Sequence, residues 1–298
     1  MTAGTRVSRL KADLALAGIA LIWGSTFVVV KEALAGISTV LFLTLRLGLA
    51  AVALAIAFRL RPGGLRPFRE SIGGGALAGV FLFGGFLLQT MGLRYTTPSK
   101  SAFLTGLSIV MVPLLGSAVY RSVPSFSEWA GVTVAAAGMA LLTLPGESLR
   151  MGFGDLLTLG CAVAFAIHII MVGHISRKIG FESLSMLQVT TAALIGLGTF
   201  WWVEPAHVRW TPGLLAAVGI TGLLATALAF TVQAWAQRHT SATRTALIFA
   251  LEPVFAWLTS YLLTGEVLSG RATLGATLIL GGIVLVELKP IDVNRHRF

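Results

Sequence analysis

The sequence predicts an all-α membrane protein of about ten transmembrane helices, arranged as two inverted five-helix repeats. Three observations lead there. Apolar runs of about 17–25 residues recur along the whole chain, the length a helix needs to cross a hydrocarbon core. Charge is scarce: 11% of the 298 residues are charged and 56% are hydrophobic, with a mean hydropathy of +0.87. A soluble domain carries about 25% charged residues. The second half of the chain also matches the first at a nearly fixed offset.

The runs can be taken in order. The first, near 13–34, follows Arg6, Arg9 and Lys11 and superficially resembles a signal peptide. Similar runs recur to the C-terminus, so it reads as an uncleaved span. The second, near 37–58, carries Arg46. The third, near 72–93, is glycine-rich (Gly73-Gly74-Gly75, Gly79, Gly84-Gly85), a spacing that suits close helix packing. The fourth (99–120) and fifth (126–144) follow, then a sixth (154–174) with Cys161 and His168. The seventh (183–203) ends on Trp201 and Trp202, and the eighth (212–236) holds Phe230 and Gln233. The ninth (242–263) contains Glu252-Pro253, where the proline removes a backbone donor and can kink the helix. The tenth spans 271–288. Connections are short and carry the prolines and charges, as in Arg61-Pro62-Gly63-Gly64, Pro145-Gly146 and Glu204-Pro205.

Lys and Arg placement sets the orientation. With the N-terminus inside, fifteen basic residues face the cytoplasm and six face out, with Arg46 left in a span. Both termini are therefore expected to be cytoplasmic, in a bacterial inner membrane. Trp129, Trp201, Trp202, Trp210 and Trp235 fall near span ends, as an aromatic belt should. The formal charge of +10 does not indicate nucleic acid, because the basic residues sit in short flanks rather than on one face.

An offset of 144 pairs Phe86 with Phe230, Gln89 with Gln233, Arg94 with Arg238, Gly131 with Gly275 and Gly138 with Gly282. In the earlier spans an offset of 142 pairs Asp13 with Asp155 and Gly18 with Gly160. Residues 1–145 and 146–298 thus form two units of five spans each. An odd span number makes the units opposite in orientation, an architecture typical of alternating-access carriers with a site near the midplane.

Trp23-Gly24-Ser25-Thr26-Phe27 followed by Lys31 resembles the first-span signature of the EamA family, in the drug/metabolite transporter superfamily. Arg46-Leu47 resembles its second-span arginine. Leu251-Glu252-Pro253-Val254-Phe255 and Leu263-Thr264-Gly265-Glu266 resemble its paired motifs near the end of the second repeat. The first repeat departs from this pattern, with Arg121-Ser122 aligned to Gly265-Glu266 and its proline displaced to Pro113. The resemblance implies a ten-helix inner-membrane carrier, often an exporter of amino acids or other metabolites.

Several residues could carry chemistry. A charge at membrane depth costs ~2.5–3.5 kcal/mol or more and needs compensation. Arg46 could therefore bind an anionic substrate group such as a carboxylate, or it could be a structural ion pair or carbonyl clamp. Glu252 could pair with Arg46 or carry a coupling proton, and His168 could relay protons or be a packed core histidine. Lys31 could draw anions into an outer vestibule or be a solvated helix end. Phe86 with Gln89, and Phe230 with Gln233, fall on single helix faces suited to a small-molecule cavity. Trp23 and Trp257 could wall it.

No metal or cofactor is expected, and the lone Cys161 reads as a buried hydrophobe. An enzyme is disfavoured: no H-E-x-x-H, G-x-S-x-G or P-loop occurs. The expected function is small-molecule transport within the bilayer by a monomer or homodimer, proton-coupled by default. An uncoupled channel and a multidrug efflux carrier are the alternatives.

Overall fold

A computed structural model describes residues 3–59, 72–120, 124–143, 151–264 and 269–287. Among them every regular element is a helix, and extended pairing is confined to one bridge between Ile37 and Val208. The first half forms α1 (Ala3–Ala33), α2 (Thr39–Arg59), α3 (Ile72–Tyr95), α4 (Pro98–Gly106), α5 (Ser108–Tyr120) and α6 (Phe126–Thr143). The second forms α7 (Phe153–Ile175), α8 (Phe181–Thr199), α9 (Pro212–Gly219), a π-helical segment (Ile220–Leu228), α10 (Ala229–Ala236), α11 (Ala242–Phe249), α12 (Glu252–Thr264) and α13 (Gly270–Glu287). Helical dihedrals continue from α9 through the π segment into α10, so these make one rod. Residues 60–71, the Leu263–Glu266 motif, Arg121-Ser122, Pro145-Gly146 and the basic residues at both termini lie partly or wholly outside the described residues.

Helices dominate because a bilayer offers the backbone no water, so each segment must satisfy its own N–H and C=O groups. Six described segments are long and apolar enough to cross a membrane: Arg9–Ala33, Thr39–Arg59, Ile72–Tyr95, Lys100–Val119, Phe153–Ile175 and Pro212–Ala236. Phe126–Leu142 and Gly270–Val286 are apolar but shorter. The outer surface is apolar, with Leu14, Val52, Leu194 and Leu215 all exposed. Arg46, His168, Gln188, Gln233 and Gln237 are buried instead. This polarity, apolar outside and polar inside, is that of a multi-pass membrane protein.

Two rods are broken, and they break at matching places. Thr97 caps α4 by accepting from Lys100 N, and Ser241, its counterpart at an offset of 144, caps α11 by accepting from Arg244 N. α4 ends where Leu107 N is shared between the carbonyls of Phe103 and Leu104. α11 ends where Ala250 N is shared between Ala246 and Leu247. Both are tightened turns before a new helix starts. Pro253 follows the second break, but Ile109 stands at its aligned place after the first, so proline is not what breaks the rod.

α6 and α13 cross antiparallel through glycines. A Cβ on Gly131 would meet Gly282 O at 2.7 Å, and one on Gly282 would meet Gly131 O at 2.6 Å. Gly138 and Gly275 stand in the same reciprocal relation at 2.6 Å. Aligned residues thus exchange partners, as a local two-fold axis between the helices requires.

Candidate substrate cavity

Between the two halves lies a cavity of about 70 Å³. Trp23, Arg46, Phe86, Gln89, His168, Phe230, Gln233 and Glu252, each singled out from the sequence, all line it. They come from α1, α2, α3, α7, α10 and α12, so no local motif could have grouped them.

Arg46 is 4% exposed. Its Nε donates to Thr226 Oγ1 at 2.8 Å and its Nη2 to Ala225 O at 3.3 Å. Its Cζ lies 4.0 Å from the centre of the Phe86 ring, a cation–π contact. The ion pairs among the described residues are Lys100–Asp155 and Arg244–Asp13, so neither holds Arg46. A guanidinium has five N–H donors. Two are used here, and the rest are left for the cavity.

Both protein partners of Arg46 belong to the π segment. Gly79 packs on Gln188 O, where a Cβ would come within 2.6 Å, and Gly222 packs on Arg46 O, where a Cβ would come within 3.0 Å. Arg46 and Gln188 are repeat counterparts, so Gly79 corresponds to Gly222 at an offset of 143. Past the π segment the offset is 144, as Phe86 and Phe230 show. The second repeat therefore carries one extra residue here, and the wider π turn absorbs it. Thr226 Oγ1 donates to Thr221 O at 2.7 Å, five residues back, in the π register. Ala225 O accepts from Trp23 Nε1 at 2.8 Å as well as from Arg46.

The walls are aromatic. Trp23 packs on Phe230 and Phe249 with ring centroids 5.3 and 4.9 Å apart. Phe86 meets Phe165 and Phe230 edge-on at 5.5 and 5.7 Å. His168 also packs edge-on against Phe230, and its Nε2 lies 2.8 Å from Gln188 Oε1. Gln89 Nε2 donates to Thr105 Oγ1 at 3.2 Å. Gln233 Nε2 donates to Gln237 Oε1 at 3.0 Å.

Glu252 opens α12 just after the break, and no ion pair joins it to Arg46. Its backbone is held against α1 at Gly24, where a Cβ would clash with Glu252 O and lie 3.0 Å from Ala256 N. The Trp23-Gly24 pair therefore places an indole in the cavity and lets two helices touch beside it.

Lys31 and Trp257 do not line this cavity. Lys31 Nζ donates to the carbonyls of Leu93, Arg94 and Thr96, clamping the C-terminal end of α3. It borders a separate polar groove with Arg94, Lys100 and Asp155. Trp257 is half-buried on α12. The cavity also takes in Thr105, Ser108, Phe165 and Phe249, which the sequence reading passed over. The 144 offset could have found one of them, since Ser108 aligns with Glu252, whereas Thr105 and Phe249 align only with each other.

The ion pairs were likewise unassigned. Lys100 Nζ donates to Asp155 Oδ2 at 2.6 Å, while Thr96 Oγ1 donates to Asp155 Oδ1 at 2.7 Å. Arg244 holds Asp13 with two bonds, at 2.9 and 2.6 Å. Lys100 aligns with Arg244 and Asp155 with Asp13, and each pair joins one half of the chain to the other. Lys31 shares the groove of Lys100 and Asp155, and Asp13 lies eighteen residues earlier on α1. At 1.5 Å per residue the two pairs sit about 27 Å apart, at opposite ends of the bundle.

The relatives of this chain fit that geometry. The model of the EamA-like transporter family matches residues 10–144 and again 152–288. An uncharacterized transporter of Archaeoglobus fulgidus is 35% identical over 95% of this chain and 88% of its own length. The uncharacterized inner membrane transporter YedA of Escherichia coli is 24% identical over 92% of this chain and 90% of its own. A protein of Streptantibioticus cattleyicolor named as a probable terminal-alkyne amino-acid exporter is 26% identical over 96% of each chain. A solved protein crystal structure, 19% identical, shares the fold with a TM-score of 0.77 over 93% of this chain and 98% of that one. This chain is a membrane transporter, not an enzyme, and belongs to the EamA-like transporter family.

Proposed function

We propose that this protein is an alternating-access exporter of amino acids or related carboxylate-bearing metabolites, with Arg46 as the carboxylate site. The observation that carries the reading is a buried guanidinium that lines the cavity and takes part in no ion pair among the described residues. Such a charge is costly at membrane depth, and a substrate carboxylate would complete its hydrogen bonds. The cavity has room for about five water-sized groups, which suits a small metabolite. The name of the Streptantibioticus cattleyicolor relative points the same way.

In this reading residues 1–145 and 146–298 are two inverted units of five spans. Both termini lie on the cytoplasmic side of a bacterial inner membrane. The antiparallel α6–α13 crossing and the matched ion pairs at opposite ends support the inversion. Each ion pair ties the two units together at one face, so breaking one while the other holds is how the cavity opens to one side. Glu252 and His168, the titratable groups on its wall, couple this cycle to protons.

The test is overproduction in bacteria, with survival and efflux measured against amino acids, their toxic analogues and cationic drugs. An empty vector and Arg46→Ala at matched expression serve as controls. Arg46-dependent protection against carboxylate compounds is expected. Protection against cationic drugs alone would overturn the assignment and make Arg46 structural. Proton coupling fails if liposome transport ignores an imposed pH gradient and is unchanged in Glu252→Gln and His168→Ala.

A further inference from the structure

Gln233 is 1% exposed and lines the cavity. Its Nε2 donates to Gln237 Oε1, and Gln237 Nε2 in turn donates to Ile169 O at 2.9 Å. This chain fixes the direction of both amides. Turning Gln237 over would set its oxygen against the Ile169 carbonyl. Turning Gln233 alone would set two amide oxygens together. Gln233 Oε1 is thereby held as an acceptor, and it is buried without a donor. Buried polar atoms in native proteins are rarely left so, and one on a cavity wall implies an absent partner. That partner must donate a hydrogen bond.

Glu252 gives that partner a second acceptor. Its side chain lines the same cavity, and no hydrogen bond or ion pair engages its carboxylate among the described residues. Arg46 and Glu252 place one basic and one acidic group on the wall of the same cavity. A solute that is neutral overall but carries both signs can use both groups without adding charge to a low-dielectric site. The Trp23, Phe230 and Phe249 rings around it favour an organic cation at their faces.

Building on the carboxylate reading of Arg46, we infer that Gln233 Oε1 and the Glu252 carboxylate form the subsite for a substrate ammonium group. The cavity then selects small zwitterionic amino acids over plain carboxylates.

The experiment uses the full chain, purified in detergent, with binding of labelled L-alanine and L-2-aminobutyrate competed by unlabelled propionate and butyrate. These acids keep the carboxylate and lack the amine. They are expected to compete about 10- to 100-fold more weakly than the parent amino acids. Gln233→Leu and Glu252→Gln are each expected to weaken amino-acid binding about 10-fold while sparing the plain acids. Equal competition by plain acids and amino acids overturns the ammonium subsite and leaves the carboxylate reading intact. Equal weakening of both ligand classes in monodisperse Gln233→Leu and Glu252→Gln also overturns it. If amino acids and plain acids alike fail to bind, the subsite and the Arg46 reading fall together.

Discussion

The rim and the centre of this molecule treat the repeat differently. At the rim the two halves match closely. Asp13 with Arg244 and Asp155 with Lys100 are one ion pair built twice, at opposite ends. Thr97 and Ser241 cap aligned helices, and the four glycines of α6 and α13 exchange partners. Around the cavity the aligned residues diverge: Arg46 against Gln188, Glu252 against Ser108, Phe249 against Thr105. The extra residue of the π segment lies on the same wall and gives Arg46 its partners. In the proposed cycle, closing at two faces calls for two similar devices, whereas one asymmetric solute calls for one asymmetric site.

The largest effect is expected from moving the centre's charge to its counterpart. Arg46→Gln should cut transport by about 100-fold at matched expression, the scale of losing one partner of a buried charged contact. Adding Gln188→Arg should not restore it, because α3 has no π turn to receive the guanidinium. Rescue by that pair would show that the centre is symmetric after all. Deleting Leu224 should return the π segment to α geometry and inactivate the carrier with the protein still folded. The fluorescence of Trp23 should shift as its indole loses Ala225 O.

At the rim, Asp155→Asn takes the carboxylate from Lys100, and Asp13→Asn takes it from Arg244. Each should lower stability by about 2 kcal/mol in detergent unfolding, the scale of a hydrogen bond to a charged group. Asp155→Asn should be the worse of the two, since Asp155 also accepts from Thr96 Oγ1 and Gly152 N. Reversing the second pair, Asp13→Arg with Arg244→Asp, should recover much of the loss.

Smaller effects separate positioning from clamping. Thr226→Val removes the acceptor for Arg46 Nε and should weaken substrate binding about 10-fold. Lys31→Met should cost about 1 kcal/mol of stability and leave substrate affinity unchanged, because Lys31 holds the end of α3 outside the cavity. A large rise in KM on that change would return Lys31 to the substrate path.

How much of this could be read from the sequence depended on contrast. Arg46, Glu252, Gln89 and Gln233 stood out because polar side chains are conspicuous in apolar runs. Phe165 and Phe249 did not, since a phenylalanine in such a run looks the same whether it faces lipid, core or cavity. The π segment was invisible, as Ile-Thr-Gly-Leu-Leu-Ala-Thr-Ala-Leu suits an α-helix equally well. Only the change of offset between Gly79 and Phe86 marks it, and that needs the packing to be seen. Asp13 and Asp155 were visible as repeat mates, but Lys100 and Arg244 looked like flanking charges that set orientation. Lys31 at a helix end reads alike as a solvated charge or a carbonyl clamp. The break in the fourth rod escaped too, because hydropathy passes smoothly across Leu107, whereas in the ninth Pro253 marked a kink close to the observed break.

The most direct measurement is counterflow in proteoliposomes of purified protein, preloaded with unlabelled amino acid and given a trace of the labelled one outside. The wild type should accumulate label transiently, as a carrier does when exchange outpaces net loss. Arg46→Gln, reconstituted at equal density, should not. Equal accumulation by both would contradict a substrate site at Arg46, and simple equilibration by the wild type would contradict a carrier.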